Sequence, residues 1–120
     1  MLNAEAAIAA ASQYFLTVPE SDMEIRNAAH KGLKLLLTKD DDKKLPAEYA
    51  ERIRALLSLF LAMEDISEFF KIPRGNPHVL RGDRKGVHAI SVYANWRLTF
   101  RHDAETNEIY NLDFEDYHRG

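Results

Sequence analysis

The sequence contains no cysteine, so neither a disulfide framework nor a thiolate site is possible. No run of residues reaches the roughly 20 apolar positions that a membrane-spanning helix needs, and we expect no membrane partner. The first residues, Met1 to Glu5, include a glutamate but no lysine or arginine. A secretory signal needs a cationic start, so we expect a cytoplasmic protein. The five histidines lack the paired spacing of metal ligands, which predicts neither a metal site nor a cofactor.

The length of 120 residues suits one globular core, and the net charge of −3 is unevenly distributed. Between Lys71 and Arg101 there are seven basic residues and one acidic residue, Asp83, which gives +6. Residues 103–116 contain six acidic residues and no basic ones. These blocks are either a solvated surface of alternating charge or, in the basic segment, a phosphate-binding face.

Three helices are predicted in the first half of the chain. Residues 2–16 are rich in alanine and precede Pro19, which predicts a helical extension over residues 1–22 and a domain over residues 23–120. Residues 24–29 can form a short strand, and residues 31–39 a helix. A long amphipathic helix follows Pro46, because apolar side chains recur at spacings of three and four: Tyr49, Ile53, Leu56, Leu57, Phe60 and Met63.

The second half of the chain is predicted to form β-structure. Turn residues fill positions 72–77, residues 87–93 and 96–100 alternate as a hairpin, and residues 108–114 supply a further strand. The fold class is therefore α+β, with two helices packed on a mainly antiparallel sheet. The period of two predicts one strand face under the helices (Trp96, Leu98, Phe100) and an uncovered opposite face (Arg97, Thr99, Arg101).

Four segments carry a resemblance to a known family: HKGL at 30–33, HVLRGDRKG at 78–86, ISVYANWRLTF at 90–100, and EDYH at 115–118. In this order and spacing they resemble the HigB killer-protein branch of the RelE toxin superfamily, over about residues 24–118. The sequence differs from the family pattern at Val79, where proline is frequent, and at Arg81, where lysine is common. The first 22 residues are also additional.

The resemblance implies a RelE-like fold and the toxin of a type II toxin–antitoxin system. Such a toxin is an mRNA interferase, an endoribonuclease that enters the ribosomal A site and cuts mRNA to inhibit translation. The implied partners are the ribosome with its mRNA and a helix-turn-helix antitoxin of the HigA type. Operator DNA would be bound only through that antitoxin.

The residues can supply metal-independent RNA cleavage by attack of the 2′-OH on the adjacent phosphate. This reaction needs a base, an acid for the 5′-oxygen and cations around the phosphorane. His78 and His118 are candidates for proton transfer, and Asp116 for a base or an imidazole-orienting group; which residue does which is open. Arg81 and Arg97 suit phosphate clamping, and Tyr117 could stack on a base. The remaining basic residues are predicted to contact RNA more generally: Lys71, Arg74, Arg84, Lys85 and Arg101.

Each candidate also has a structural interpretation. His78 could be a turn histidine, Arg97 a cation–π partner of Trp96, and residues 116–118 a polar tail. Two other functions remain open: a non-catalytic module on the same fold, such as the ParE relatives that poison DNA gyrase, or a degenerate toxin that binds only antitoxin and operator. The histidine in the C-terminal segment favours the nuclease, because a gyrase binder needs no acid–base imidazole.

Overall fold

The computed structural model describes residues 23–116, and its fold is the predicted α+β class. The elements in chain order are β1 (Glu24–Ile25), α1 (Lys31–Lys39), α2 (Ala47–Ala62), a 3₁₀ helix (Ile66–Lys71), β2 (His78–Val79), a 3₁₀ turn (Gly82–Arg84), β3 (His88–Tyr93), β4 (Trp96–Asp103) and β5 (Glu108–Asp116). The helix predicted at residues 2–16 lies outside the described residues. Within the described part, no helix has the length and apolarity needed to cross a membrane.

Helix α1 has the predicted bounds, and a histidine begins it. The Nδ1 atom of His30 accepts hydrogen bonds from the backbone N–H groups of Gly32, at 3.0 Å, and Leu33, at 3.4 Å. These N–H groups would otherwise lack a partner in the first turn. A Cβ on Gly32 would lie 2.9 Å from His30 Cε1 and 2.9 Å from the Lys44 carbonyl oxygen, so a side chain does not fit there. The HKGL segment is thus a helix start.

Helix α2 follows Pro46 as predicted, and its apolar stripe is buried. Ile53, Leu56, Leu57 and Phe60 are fully inaccessible to solvent. Arg54, also on α2, forms ion pairs with Asp40 and Asp42, which directly follow α1. Ion pairing and packing together fix the two helices as one layer.

The sheet has the strand order β1-β5-β4-β3-β2. All neighbouring strands are antiparallel except β1, which runs parallel to β5. The predicted hairpin and third strand are confirmed, although β4 and β5 extend beyond their predicted ends. The strand predicted over residues 24–29 is shorter, with only an isolated bridge between Ala28 and Leu112 beyond β1. Strand β2 and both 3₁₀ segments were not predicted, because two to six residues are too few for a clear period.

The core lies between the helices and one sheet face. Leu98 and Phe100 are buried there as predicted, and the ring of Phe100 lies 5.1 Å from those of Phe60 and Phe69. Trp96 is only half-buried and stacks on Phe114 at 4.7 Å. The rings of Phe60, Phe69 and Phe100 are in mutual contact, and such contacts stabilise the fold by more than the buried area of the rings alone.

The prediction of an uncovered opposite face is wrong at one position. Thr99 is only 2% exposed. The segment after β2 folds over this face, so that Arg84 reaches Glu115 on β5 and a small apolar cluster of Leu80, Val87 and Ala89 is buried. The alternation of apolar and polar residues along β4 cannot predict this, because the loop that covers the polar side comes from a distant part of the sequence.

Candidate functional site

The sheet face opposite α1 and α2, here called the outer face, carries most of the candidate residues. Strand register aligns His78 with Ala89, and Ala89 with Thr99. The next row toward the β3–β4 turn aligns Ser91 with Arg97, and Arg97 with Glu115. Because aligned residues in neighbouring strands point to the same face, these side chains share one surface. Neighbouring strands lie about 4.8 Å apart, and His78 and Arg97 are two strands apart. Their Cα atoms are therefore separated by roughly 10 Å or slightly more.

Arg97 is half-buried and is held by a neighbouring strand. Its Nη1 donates a hydrogen bond of 2.9 Å to Ser91 Oγ, and its Nε is fully buried. A guanidinium held in one orientation can bind an anion without losing much side-chain entropy. This arrangement suits a phosphate clamp better than a surface contact. Cation–π packing on Trp96 is not seen, because that ring stacks on Phe114 instead.

Glu115 organises the centre of the outer face. Both of its oxygens accept hydrogen bonds from Arg84, at 3.0 and 2.7 Å, and Thr99 Oγ1 donates a further one. Burial acts to raise the pKa of Glu115, but the bonds from Arg84 and Thr99 outweigh it and hold the pKa below its ordinary value. A carboxylate stabilised in its charged form is a poor proton acceptor. Glu115 therefore positions its neighbours.

The ring of His78 is fixed in one orientation. Its Nδ1 lies 2.7 Å from the carbonyl oxygen of Asn76, which can only accept a hydrogen bond. Nδ1 must therefore carry the proton, and the neutral ring keeps Nε2 unprotonated. An imidazole in this tautomer can accept a proton at Nε2. His78 can therefore be both a turn histidine and a base, because the hydrogen bond to the Asn76 carbonyl in the turn sets the tautomer that a base needs.

The other candidates are distributed around this centre. Arg81 is exposed and immediately precedes the 3₁₀ turn, and Arg101 Nη1 donates to the Lys85 carbonyl oxygen at 3.2 Å. Arg84 is largely engaged by Glu115. Lys71 and Arg74 are exposed, at the end of the first 3₁₀ helix and shortly after it.

The C-terminal candidates divide at the end of β5. Asp116 is exposed and aligns with Trp96, so its register places it on the face opposite to that of Arg97 and Glu115. Asp116 is thus not among the side chains that the outer face brings together. Tyr117 and His118 lie outside the described residues, and their roles stay predictions.

Sequence reasoning missed Glu115 and Ser91. The signal for Glu115 was available, because the period of two in β5 puts it on the face opposite Phe114. Its partner Arg84 is 31 residues away, however, and that pairing has no local signature. Ser91 resembles any strand serine until its pairing with Arg97 is known.

The remaining described histidines have structural surroundings. His88 stacks on Phe100 with ring centroids 5.0 Å apart, and burial lowers its pKa below the ordinary histidine value. His102 Nε2 lies 2.8 Å from Asn107 Oδ1. Both lie on strands, His88 on β3 and His102 on β4.

The sequence of this chain is similar to that of a known protein family and of an individual relative. A family profile described as "RelE-like toxin of type II toxin-antitoxin system HigB" matches residues 26–118. A protein of Proteus vulgaris described as "Endoribonuclease HigB" is 38% identical over 98 residues, which cover 78% of this chain and 99% of that protein. The protein is a RelE-like toxin of a type II toxin–antitoxin system. Within that class, the chain belongs to the HigB-like toxin family.

Proposed function

We propose that this toxin is a ribosome-dependent endoribonuclease that cuts mRNA in the ribosomal A site. Endoribonuclease is the activity named for its Proteus vulgaris relative, and the ribosome dependence is part of the proposal. The observation that carries the proposal is the outer face itself: an arginine anchored on Ser91 and an imidazole whose tautomer leaves a free nitrogen lie on the same surface. Residues 23–120 form the toxin domain in this proposal, which agrees with the extent of the family match.

The reaction uses the substrate's own nucleophile. A base removes the 2′-OH proton, the 2′-oxygen forms a bond to the adjacent phosphorus, and the bond to the 5′-oxygen breaks. An acid returns a proton to that oxygen, which leaves a 2′,3′-cyclic phosphate and a 5′-OH. Asp116 is left out of the proton transfer, because its register places it on the opposite face. His78 can serve as the base through Nε2, and His118 is the candidate for the second proton transfer. The assignment of base and acid is open between them.

Cations stabilise the negative charge that develops on the phosphorane. Arg97 is preorganised by Ser91, so its guanidinium needs no reordering in the transition state. Arg81 is exposed at the rim, where it can close on the phosphate, and Tyr117 can stack on a flanking base. Arg84 acts through Glu115 to hold the face together, and Lys71, Arg74, Lys85 and Arg101 supply general attraction to RNA.

Ribosome dependence follows from what the outer face provides. It carries candidate phosphate-binding and proton-transfer groups on neighbouring strands, and cleavage requires that a flexible RNA strand be held in line with them. A ribosome that holds the codon in place would supply that orientation. In the cell, the proposed partners are therefore the ribosome with mRNA in the cytoplasm and a HigA-like helix-turn-helix antitoxin, with operator DNA reached through the antitoxin.

The test compares Arg97→Gln and His78→Ala with wild-type protein in a purified translation system. Cleavage is mapped by 5′-end analysis of the mRNA, with the same RNA free of ribosomes in a parallel reaction. Loss of an acid–base group commonly lowers the rate about 10²- to 10⁴-fold, and a similar loss is expected for the arginine. Lys34→Gln, on the exposed side of α1, removes a charge far from the outer face and should have no effect.

Two results would count against the proposal. Equal cleavage of free and ribosome-bound RNA would remove the ribosome dependence. Full activity of the Arg97→Gln protein would show that Arg97 on the outer face takes no part in cleavage. Inhibition of gyrase supercoiling by a protein that cuts no RNA would favour the non-catalytic alternative.

A further inference from the structure

Five residues at the β2-side edge of the sheet form what we call the edge cluster: Tyr49, Arg52, Arg74, Gly75 and Tyr93. Arg52 and Tyr49 lie one turn apart on α2, and the ring of Tyr49 stacks on that of Tyr93 with centroids 5.0 Å apart and planes at 25°. A Cβ placed on Gly75 would lie 3.2 Å from Arg52 Nη2, so the loop that carries Arg74 passes directly beside the Arg52 guanidinium.

The close approach of this loop depends on Gly75. Its φ is +91°, and a Cβ there would lie 2.7 Å from both Ile90 Cγ1 and the Ser91 carbonyl oxygen. The Gly75 carbonyl accepts a hydrogen bond of 2.8 Å from Ser91 N–H. Only glycine allows the backbone to reach this position without strain. The position of Arg74 next to Arg52 is therefore built into the backbone.

The charges of Arg52 and Arg74 are uncompensated within residues 23–116. Three other arginines of this part of the chain have carboxylate partners: Arg26 pairs with Asp103 and Glu108, Arg54 with Asp40 and Asp42, and Arg84 with Glu115. Arg52 has no such ion pair. Burial lowers the pKa of Arg52, and the positive charge of Arg74 lowers it further. Two like charges held together favour binding of an anion between them.

Tyr93 adds a stacking surface to this anion site. It is 60% exposed, yet Tyr49 fixes its inner side. An exposed ring held rigidly by another ring is suited to stacking on an unpaired base, which loses little side-chain entropy when it binds. A carboxylate of a protein partner could satisfy the arginines, but it would leave this ring unused.

The edge cluster also adjoins the outer face. Ser91 donates its backbone N–H to Gly75 and accepts a side-chain hydrogen bond from Arg97. Ser91 thus links the loop of Gly75 to Arg97. Tyr93 aligns with Trp96 and so lies on the helix side of the sheet, which means that an RNA strand in contact with both sites would pass round the sheet edge.

We propose that the edge cluster binds the RNA strand next to the cleavage site, with Arg52 and Arg74 sharing one phosphodiester and Tyr93 stacking on a neighbouring base. This inference rests on the proposed function, because it assigns the same RNA a second contact. Neither Arg52 nor Tyr93 belongs to the candidate set drawn from the sequence, and Arg74 gains a specific role in place of a general one.

The test measures binding separately from cleavage. The probe is a short RNA in which every 2′-OH is methylated and cannot attack the phosphate. Binding of Arg52→Gln/Arg74→Gln is compared with that of a matched control, Lys31→Gln/Lys34→Gln, which removes two exposed charges from α1. We expect a loss of roughly tenfold or more for the arginine variant alone, and a salt slope smaller by about 0.7, the value for one phosphate contact on a single strand.

Tyr93 is tested with two substitutions. Tyr93→Ala should weaken binding roughly 5- to 150-fold, the range that corresponds to about 1–3 kcal/mol per stacked base, while Tyr93→Phe should bind like wild type. The fluorescence of Trp96, the chain's only tryptophan, reports binding directly, because Trp96 aligns with Tyr93 across the hairpin.

A second arm uses ribosomes with and without mRNA. A defect that appears only with mRNA supports the proposed contact with the message. An equal defect with and without mRNA would overturn the proposal and assign the cluster to ribosomal RNA. Equal binding by the arginine and lysine variants on the oligonucleotide and on ribosomes would overturn the inference, as would a wild-type protein that binds neither. Loss of antitoxin binding with RNA binding intact would assign the cluster to the antitoxin instead. Failure of the proposed function is recognised separately, by wild-type protein that binds RNA but cuts none.

Discussion

Removal of the His30 side chain should destabilise the domain by about 2 kcal/mol without touching the outer face. The substitution His30→Ala deletes the acceptor for two backbone N–H groups of α1, and loss of an N-cap costs about 1 kcal/mol. It also deletes a ring that meets Phe114 edge-on, with centroids 5.7 Å apart, and such a contact contributes about another 1 kcal/mol. The sum is a substantial fraction of the stability of a small domain.

His30→Asn separates the two contributions. Asparagine can accept the same backbone hydrogen bonds but cannot reach Phe114, so this variant should lose only about 1 kcal/mol. The measurement is urea unfolding followed by the fluorescence of Trp96, with the free energy taken from the midpoint and slope. If the asparagine variant is as unstable as the alanine variant, capping is not the function of His30. At a temperature where both variants are folded, mRNA cleavage should match that of wild type.

Three further predictions concern the core, the pH dependence and the N-terminus. Phe60→Ala leaves a cavity in a fully buried site between Phe69 and Phe100 and should lower the free energy of unfolding in urea by roughly 3–5 kcal/mol. Leu59→Ala, at an exposed position on the same helix, should lower it far less. The folded-state pKa of Glu115 is depressed, so its ionised carboxylate stabilises the fold above the ordinary glutamate pKa of 4.5, and this stabilisation is lost as the pH falls through the folded-state pKa. The difference in unfolding free energy between wild type and Glu115→Gln should therefore shrink below about pH 4.5. A difference that stays constant with pH would contradict the role of the Arg84 ion pair. A chain that begins at Met23 should stay toxic and lose a little stability in thermal unfolding, while a folded but inert product would show that residues 1–22 take part in function.

Local patterns were sufficient for much of the fold. The leucines of α1 and the apolar stripe of α2 recur at helical spacing, and each therefore predicted both an element and its buried side. The β3–β4 hairpin was equally clear, since a turn at Ala94 separates two alternating runs. Ala94 adopts φ +49° there, a conformation more usual for asparagine or glycine, so the alternation and not the turn residue carried that prediction.

The parts that could not be predicted depend on contacts between distant residues. The loop that buries Thr99 is held by Arg84 on Glu115, and neither residue marks the other in the sequence. Strand register places Arg97 and Asp116 on opposite faces of the sheet. The motif residues alone do not reveal that register. The pairing of Gly75 with Ser91 likewise appears only when the backbone is folded.

The position of β5 in the sheet determines when this toxin can fold during its synthesis. Strand β5 is the last to be made, yet it lies between β1 and β4 and supplies Glu115 to the outer face. Among the described strands, β1 pairs only with β5, so the beginning of the domain stays unpaired until residues 108–116 have been translated. A nascent chain that stops before β5 lacks both the centre of the sheet and the carboxylate that orders Arg84. The centre of the outer face, where Glu115 holds Arg84 and Thr99, is therefore assembled only after β5 has been made.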